Sequence, residues 1–324
     1  MKIPFIHELN LLKDQVRQVK ESTEQIRALA GQTREEVGWI QEKMSRTAAS
    51  TAASESLLRQ IQLYLGNDIF KNHLARLHSS EFPKENEIGA NLAATVKSLR
   101  FRTEPAPDRS RTVVCTVAVG EEYREKVAPC LESHRRYCRD HGYDYIDMEM
   151  EPNWVHRPLS WYKLPLLFRL MQAGYERLLV IDADAMITNP SVRLEPFFER
   201  LDAEGKAMLA AEEDGGVNCG VFFLRKCPQA VRLLDLMWLH DMDVRHGHWE
   251  QRALRELLNN YRAVHDVLAV ADGRAFNSFP PERVESFSEA FDQRNSWQPG
   301  DFICHFSGIR GDRLPELIRQ YAAR

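Results

Sequence analysis

The sequence predicts an α/β domain with a mostly parallel sheet over residues 111–324, preceded by an N-terminal helical region. After residue 111, short β-branched apolar runs alternate with amphipathic stretches of helical length, which is the pattern of a parallel sheet flanked by helices. An unbroken heptad pattern occupies residues 1–50 and then stops. The length of 324 residues fits one well-packed domain and an accessory segment.

The composition indicates a soluble globular protein, with 44% apolar residues, 28% charged residues and a net charge of −4. That charge provides no general basic field for nucleic acid. No apolar run reaches the roughly 18 residues of a membrane span, and the first residues lack a signal-peptide core. We therefore expect a cytoplasmic protein, either free or at the inner face of a bacterial membrane. Six cysteines, none in a Cys-x-x-Cys pair, are expected to be reduced: Cys115, Cys130, Cys138, Cys219, Cys227 and Cys304.

Residues 1–50 are predicted to form a coiled-coil arm that makes the chain a homo-oligomer. Core positions recur with 3–4 spacing from Leu9 to Met44, and β-branched residues at the second core position favour a trimer or tetramer. One alternative is an amphipathic helix folded onto the protein's own globular part. The other is a helix on a membrane surface. Its apolar residues would be Ile3, Phe5, Ile6, Leu9 and Leu12.

Residues 51–110 are predicted to be a helical linker region. Ser45–Ser56 is small and polar, as in a hinge or a weak helix. Apolar residues between Leu57 and Leu77 recur at helical spacing, and Thr103–Arg111 has the composition of a linker.

The elements of the domain follow from its apolar runs. Strands are expected at Thr112–Gly120, Tyr143–Glu149, Arg177–Ile187, Met208–Asp214 and Val217–Lys226. Helices are expected at Tyr123–His141, Trp161–Gly174 and Gln229–Asp241.

The main chemical signal is Asp182-Ala183-Asp184, which directly follows a buried apolar strand. Ligands of open α/β sheets bind at the carboxyl ends of strands. On extended backbone the two side chains would diverge, whereas a turn starting at Ala183 would aim both at one cation. Carboxylate oxygens suit Mn²⁺ or Mg²⁺, and these ions also take diphosphate oxygens. Two solvated carboxylates are the structural alternative.

A second apolar run delivers His305, followed by Gly308, Arg310 and Gly311. The imidazole would complete a metal site with the two aspartates. Glycines let backbone N–H groups approach a phosphate, and the guanidinium would neutralise a leaving diphosphate. A core histidine beside a surface arginine is the structural alternative.

Three further positions are candidates for ligand binding. Asn218 precedes Gly220 at a strand mouth, where it would bond sugar hydroxyls or simply shape a turn. Glu250 and Gln251 open a helix, where an acidic residue also serves as a cap. Lys163 is a basic residue on an otherwise apolar helix.

The motifs WYKLPLL, DADAMITNP, NCGVFFLRK, EQRAL and GDFICHFSG, in this order, resemble one family. It comprises the fungal α-1,6-mannosyltransferases and α-1,2-galactosyltransferases with the plant xyloglucan xylosyltransferases. The resemblance spans about residues 112–312. It implies a GT-A fold, which is a Rossmann-like mixed sheet with flanking helices, and a nucleotide-sugar donor, a glycan acceptor, a divalent metal (commonly Mn²⁺) and a retaining mechanism.

The resemblance also implies roles for single residues. Asp182, Asp184 and His305 match the metal ligands, and Gln251 matches a glutamine near the reacting sugar. Arg310 stands where plant members have a lysine near the diphosphate, which keeps the charge but changes its geometry. Catalysis is therefore assigned to Gln251, Arg310 and Glu250, although many members have Asp where this chain has Glu250. Donor binding is assigned to Val117, Ala118, Tyr123, Lys163, Asp182, Ala183, Asn218, Gly220 and Gly308.

The predicted function is metal-dependent, retaining sugar transfer from a nucleotide-diphosphate sugar to a glycan hydroxyl. UDP-hexose or UDP-pentose is favoured over GDP-mannose as the donor. A phosphatase with an Asp nucleophile is a weaker hypothesis, because Asp-x-Asp is followed here by Ala185-Met186 and lies on the third strand. The non-enzymatic alternative is a coiled-coil scaffold with an inactive nucleotide-sugar-binding domain.

Overall fold

The computed structural model describes residues 90–98, 111–148, 157–213, 216–240, 248–286 and 294–323. The predicted arm at residues 1–50 lies outside these residues, as does most of the predicted linker at 51–110. Within the linker range, helix α1 (Ala90–Ser98) is described, and its Leu92 is fully buried. The backbone N–H of Leu92 donates to Asp235 Oδ1 at 2.9 Å.

The domain is built on a six-stranded mixed sheet, as the alternation of elements predicted. Its strands run in the order β2-β1-β3-β6-β5-β7, and only β6 is antiparallel to its neighbours. The strands are β1 (Thr112–Val117), β2 (Asp144–Met148), β3 (Arg177–Ile181), β5 (Met208–Glu213), β6 (Gly216–Arg225) and β7 (Leu268–Ala271). A separate two-stranded sheet pairs β4 (Ala185–Ile187) with β8 (Ile303–His305).

Helices cover both faces of the large sheet. They are α2 (Glu121–Lys126), α3 (Ala128–His141), α4 (Lys163–Ala173), α5 (Glu195–Ala203), α6 (Pro228–Leu239), α7 (Trp249–Asn260), α8 (Arg262–Val267) and α9 (Arg313–Ala322). Short 3₁₀ turns occupy Leu159–Tyr162, Gly273–Ala275 and Pro281–Ser286. None of the helices in the described part of the chain has the length and apolarity to cross a bilayer.

Alternate residues of each strand point to opposite faces, so the sheet has two cores. Val113 and Leu178 face a core that includes α4 and α6. Val114 and Leu179 face a second core that includes α3 and α5. A third cluster, around β4, β8 and α9, lies at the edge that carries the candidate site.

Two boundaries differ from the predictions. The predicted strand Arg177–Ile187 is two strands, because the chain turns at residues 182–184 and β4 leaves the large sheet for β8. The predicted helix Tyr123–His141 is broken at Val127. Pro129 lies in the first turn of α3, where its missing N–H costs no helical hydrogen bond, so a new helix begins there.

Helix α3 holds β4 through two buried side chains. His134 Nε2 lies 2.7 Å from the carbonyl oxygen of Ala185, and the backbone N–H of Ile187 donates to Ser133 Oγ at 3.1 Å. His134 is fully buried, and burial lowers its pKa from 6.5 to about 4. The neutral imidazole therefore supports the strand that follows the aspartate turn.

This burial predicts an acid-sensitive fold. As the pH falls below about 6.5, the unfolded chain takes a proton on His134 that the folded chain refuses until about pH 4. The free energy of unfolding should therefore be fully present above pH 6.5 and decrease by roughly 3 kcal/mol across that window. His134→Gln should flatten this dependence in urea unfolding at pH 4.5–7, because its amide reaches Ala185 without titrating. The surface variant His265→Gln is the control, and an unchanged slope in His134→Gln would contradict the assignment.

Candidate metal and ligand site

The two aspartates lie in a turn at the carboxyl end of β3. The backbone N–H of Asp182 donates to the Gly220 carbonyl at 2.7 Å, and the N–H of Ala185 donates back to the Asp182 carbonyl at 3.0 Å. Ala183, at the middle of this turn, is buried. The chain therefore turns at Ala183, and both carboxylates belong to one cluster rather than diverging as they would on extended backbone.

The pairing of β4 with β8 brings His305 to this turn. Ala185 is opposite His305 in the register, and the N–H of Phe306 donates to the Asp184 carbonyl at 2.9 Å. His305 Nε2 lies 3.5 Å from Asp184 Oδ1 and 3.9 Å from Asp182 Oδ2. One ligand atom from each of the three side chains lies within 4.8 Å of the others.

This donor set fits a divalent cation. Two carboxylates and an imidazole suit Mn²⁺ and tolerate Mg²⁺. Burial raises the pKa of Asp184, but the hydrogen bond and charge of His305 outweigh it and hold that pKa below its usual range. The carboxylate is therefore ionised, which is the form that binds a metal. His305 is buried whereas the aspartates are part-exposed, so an ion held there would remain open to a ligand.

Lys163 joins the aspartate turn to α7. Its buried Nζ lies 2.7 Å from Asp182 Oδ1, 2.8 Å from Glu250 Oε1 and 2.9 Å from the carbonyl of Cys219. These three acceptors match the three N–H groups of an ammonium. Burial acts to lower the pKa of Lys163, but Asp182 and Glu250 outweigh it and raise the pKa. Lys163 is thus a positively charged tie between two acidic positions.

Glu250 and Gln251 are both buried at the start of α7. Glu250 Oε2 has no hydrogen-bond partner in the described part of the chain. Gln251 is held at both ends of its amide, because Oε1 accepts from the N–H of Cys219 and Nε2 donates to Glu213 Oε2, each at 3.0 Å. The predicted catalytic pair therefore points inward, toward the end of β6.

Glu213 is a hub that sequence reasoning missed. Its Oε2 accepts from Asn218, Gln251 and Arg255 at 3.0, 3.0 and 2.9 Å, and its Oε1 accepts from Arg283 at 2.6 Å. Burial raises its pKa, but Arg283 and the other donors outweigh burial and lower it. The only sequence signal is the position of Glu213 at the end of β5.

Asn218 and Gly220 form the opposite wall of the metal cluster. Asn218 Oδ1 accepts from the N–H of Gly220 at 2.7 Å and from Asn277 Nδ2 at 2.9 Å. A side chain at Gly220 would overlap the His305 ring and Asn218 Oδ1. Asn277 was also missed, since it lies in an irregular segment with no periodic signal, yet its Oδ1 lies 2.9 Å from His305 Nδ1.

Tyr123 is the predicted donor-binding residue on α2 that interacts with the aspartates. Burial is the largest cause of its raised pKa, and the charges of Asp184 and Asp182 raise it further. Val117 and Ala118 end β1, and Ala118 accepts a hydrogen bond from Arg124 at 3.0 Å. Its carbonyl oxygen is therefore already engaged.

The loop after β8 carries Gly308 and Arg310. Gly308 has a φ of +80°, which favours glycine, and its Cβ position is open apart from Arg283 Nε at 4.0 Å. Arg310 is exposed and makes no hydrogen bond or ion pair with the residues that the structure describes. The structure does not bring Arg310 into contact with the metal cluster.

Comparison with known families identifies one match. The model of the galactosyl transferase GMA12/MNN10 family matches residues 108–203 and 197–312, which is more than half of the chain. The matched range contains the aspartate turn, α7 and His305. No curated protein matches the chain.

Solved structures share the fold of this domain. A glycosyltransferase involved in glycosylation of the major capsid of the virus PBCV-1 is 16% identical with a TM-score of 0.51, covering 67% of this chain and all of that one. The apo glycosyltransferase GlyE of Streptococcus pneumoniae is 17% identical, covering 67% of this chain and 61% of that one, with a TM-score of 0.44. Mouse xyloside xylosyltransferase 1 is 15% identical, covering 68% and 93%, with a TM-score of 0.39.

Gly220→Ala should damage the metal cluster without straining its own backbone. The added methyl group would displace the ring of His305. We expect a loss of about 10–100-fold in Mn²⁺ affinity, the usual scale for a misplaced ligand. The Mn²⁺-dependent rise in Tm measures it. Gly205→Ala is the control, because its φ of +64° disfavours a side chain but nothing lies within 4 Å. An undiminished Mn²⁺ response in Gly220→Ala would mean that His305 is not a ligand.

Proposed function

Because the chain belongs to the galactosyl transferase GMA12/MNN10 family and is a glycosyltransferase, we propose that it transfers a sugar from a nucleotide-diphosphate sugar to a glycan hydroxyl with the help of a divalent cation. The observation that carries this proposal is the convergence of Asp182, Asp184 and His305 at the carboxyl end of β3. Its position also fits the rule for ligand binding in open α/β sheets. The inactive-scaffold and phosphatase alternatives are not favoured.

The cation is proposed to be Mn²⁺, with Mg²⁺ as a substitute. Asp182, Asp184 and His305 would hold it. When bound, it would stabilise the negative charge that develops on the diphosphate as the sugar–oxygen bond breaks.

The protein's own cations share that task in the proposal. Arg310 lies on the exposed loop after β8, and its guanidinium has no competing protein partner among the described residues. It is therefore available to a phosphate oxygen. Lys163 instead acts within the protein, where it orients Asp182 and neutralises Glu250.

We propose a retaining mechanism, in which donor and product have the same anomeric configuration. Inversion would need a free carboxylate base, and double displacement would need a free carboxylate nucleophile. The two carboxylates that flank Gln251 are both engaged, since Glu213 accepts four hydrogen bonds and buried Glu250 pairs with Lys163. This occupancy supports attack from the face that the diphosphate leaves, with the Gln251 amide close to the developing positive charge.

A UDP-hexose or UDP-pentose is the proposed donor, GDP-mannose the second candidate, and a bacterial surface glycan the proposed acceptor. A cytoplasmic location and self-association through residues 1–50 remain proposals that rest on the sequence. Peripheral membrane contact by the same residues is the alternative proposal.

Metal dependence is tested by Asp184→Asn. The amide keeps the shape of the side chain but loses the charge that holds the ion, and we expect turnover to fall by roughly 10²–10³-fold. EDTA should silence the wild type, and Mn²⁺ should restore it. Asp202→Asn, a surface aspartate near Arg177 and Arg225, should leave turnover unchanged. Release of UDP from UDP-sugars measures all four. Full activity of Asp184→Asn, or of the wild type in EDTA, would show that the metal assignment is wrong.

Stereochemistry has a separate test. An α-linked donor should give an α-linked product, because the engaged carboxylates leave no base or nucleophile on the opposite face. Proton NMR of the first product, before any anomeric equilibration, reads the coupling of the anomeric proton. A β-linked product would overturn the retaining mechanism and leave the metal assignment intact.

A further inference from the structure

The hydrogen-bond chain behind His305 has a fixed direction. It begins at Glu213, a carboxylate that only accepts and that is bonded by Arg255 and Arg283. Asn218 must therefore present its Nδ2 to Glu213 at 3.0 Å and its Oδ1 to the other side. The N–H of Gly220 confirms this orientation independently, because a backbone N–H only donates, and it lies 2.7 Å from Asn218 Oδ1.

The same direction continues into Asn277. Asn218 Oδ1 accepts, so the Asn277 atom 2.9 Å away must be the donor Nδ2. Asn277 Oδ1 then faces His305 Nδ1 at 2.9 Å, and this contact requires a proton on Nδ1. Two groups of fixed polarity, a carboxylate and a backbone N–H, thus determine the orientation of both amides without relying on an arbitrary choice of oxygen and nitrogen.

A neutral imidazole with its proton on Nδ1 has a lone pair on Nε2. That nitrogen is the one that lies 3.5 Å from Asp184 Oδ1 and 3.9 Å from Asp182 Oδ2. Three electron-pair donors then face one another, and only a cation between them makes the arrangement favourable.

We propose that Asn277 is a positioning residue, which keeps the His305 proton on Nδ1 so that Nε2 is free to bind the metal. Asn277 is fully buried and touches no proposed ligand atom other than through this hydrogen bond. Its role is that of the outer partner which orients a metal-bound histidine. The inference rests on the metal site of the proposed function and names the residue that prepares it.

Two substitutions separate this role from simple structural support. Asn277→Leu removes the acceptor for Nδ1, whereas Asn277→Asp keeps it. Both remove the hydrogen bond donated to Asn218, so both carry the same structural defect. Asn295→Leu is the matched control, because Asn295 is also a buried asparagine but lies beside Gly273 rather than His305.

The experiment is titration of the full-length chain with Mn²⁺ alone, following the loss of the free-ion electron paramagnetic resonance signal. Asn277→Leu should bind about 10–100-fold more weakly than the wild type. Asn277→Asp and Asn295→Leu should bind nearly as tightly as the wild type. Thermal unfolding checks that each variant is folded, and Asn277→Ala replaces the leucine variant if that one does not fold.

Other results would contradict the inference. Equal weakening by Asn277→Leu and Asn277→Asp would show that Asn277 only supports the structure, and wild-type binding by Asn277→Leu would show that it does not act on the metal site. In both cases the metal site itself stands. If the wild type fails to bind Mn²⁺, or His305→Ala binds as well as the wild type, the metal site of the proposed function is wrong, and the role of Asn277 falls with it.

Discussion

The pairing of two three-residue strands, β4 and β8, is the constraint on which the site depends. Asp182 and Asp184 are close in sequence, but His305 is more than a hundred residues away, and only the register that sets Ala185 opposite His305 brings it to the aspartates. Such short strands have little stability alone. Helix α3 holds β4 from behind, through His134 and Ser133, so the ligand geometry depends on a buried neutral histidine that never touches the ligand.

A second constraint is charge. The site gathers Asp182, Asp184, Glu213 and Glu250, and uncompensated burial of carboxylates is costly. Lys163 compensates one side, by contacting Asp182 and Glu250, while two arginines compensate Glu213. The aspartate turn is left as the place where negative charge lacks a full protein partner. That imbalance explains why a cation belongs there.

The sequence predicted the architecture because its strands and helices are long enough to carry a period. It also placed the aspartates, His305 and Gln251 correctly, because each follows a strand or opens a helix and belongs to a family motif. It missed the break at residues 182–184, since a continuous apolar run does not show where a chain leaves a sheet. Glu213 and Asn277 were missed for a different reason. Their importance comes only from partners that are distant in sequence, and no local pattern reports such contacts.

The central claim is that Asp182, Asp184 and His305 together hold one divalent ion. Anomalous diffraction at the manganese absorption edge, from crystals soaked in Mn²⁺ and UDP, tests it most directly. The account predicts a single strong anomalous peak within bonding distance of a carboxylate oxygen of Asp184 and of Nε2 of His305. No peak at this position, or a peak coordinated by other residues, would contradict the account.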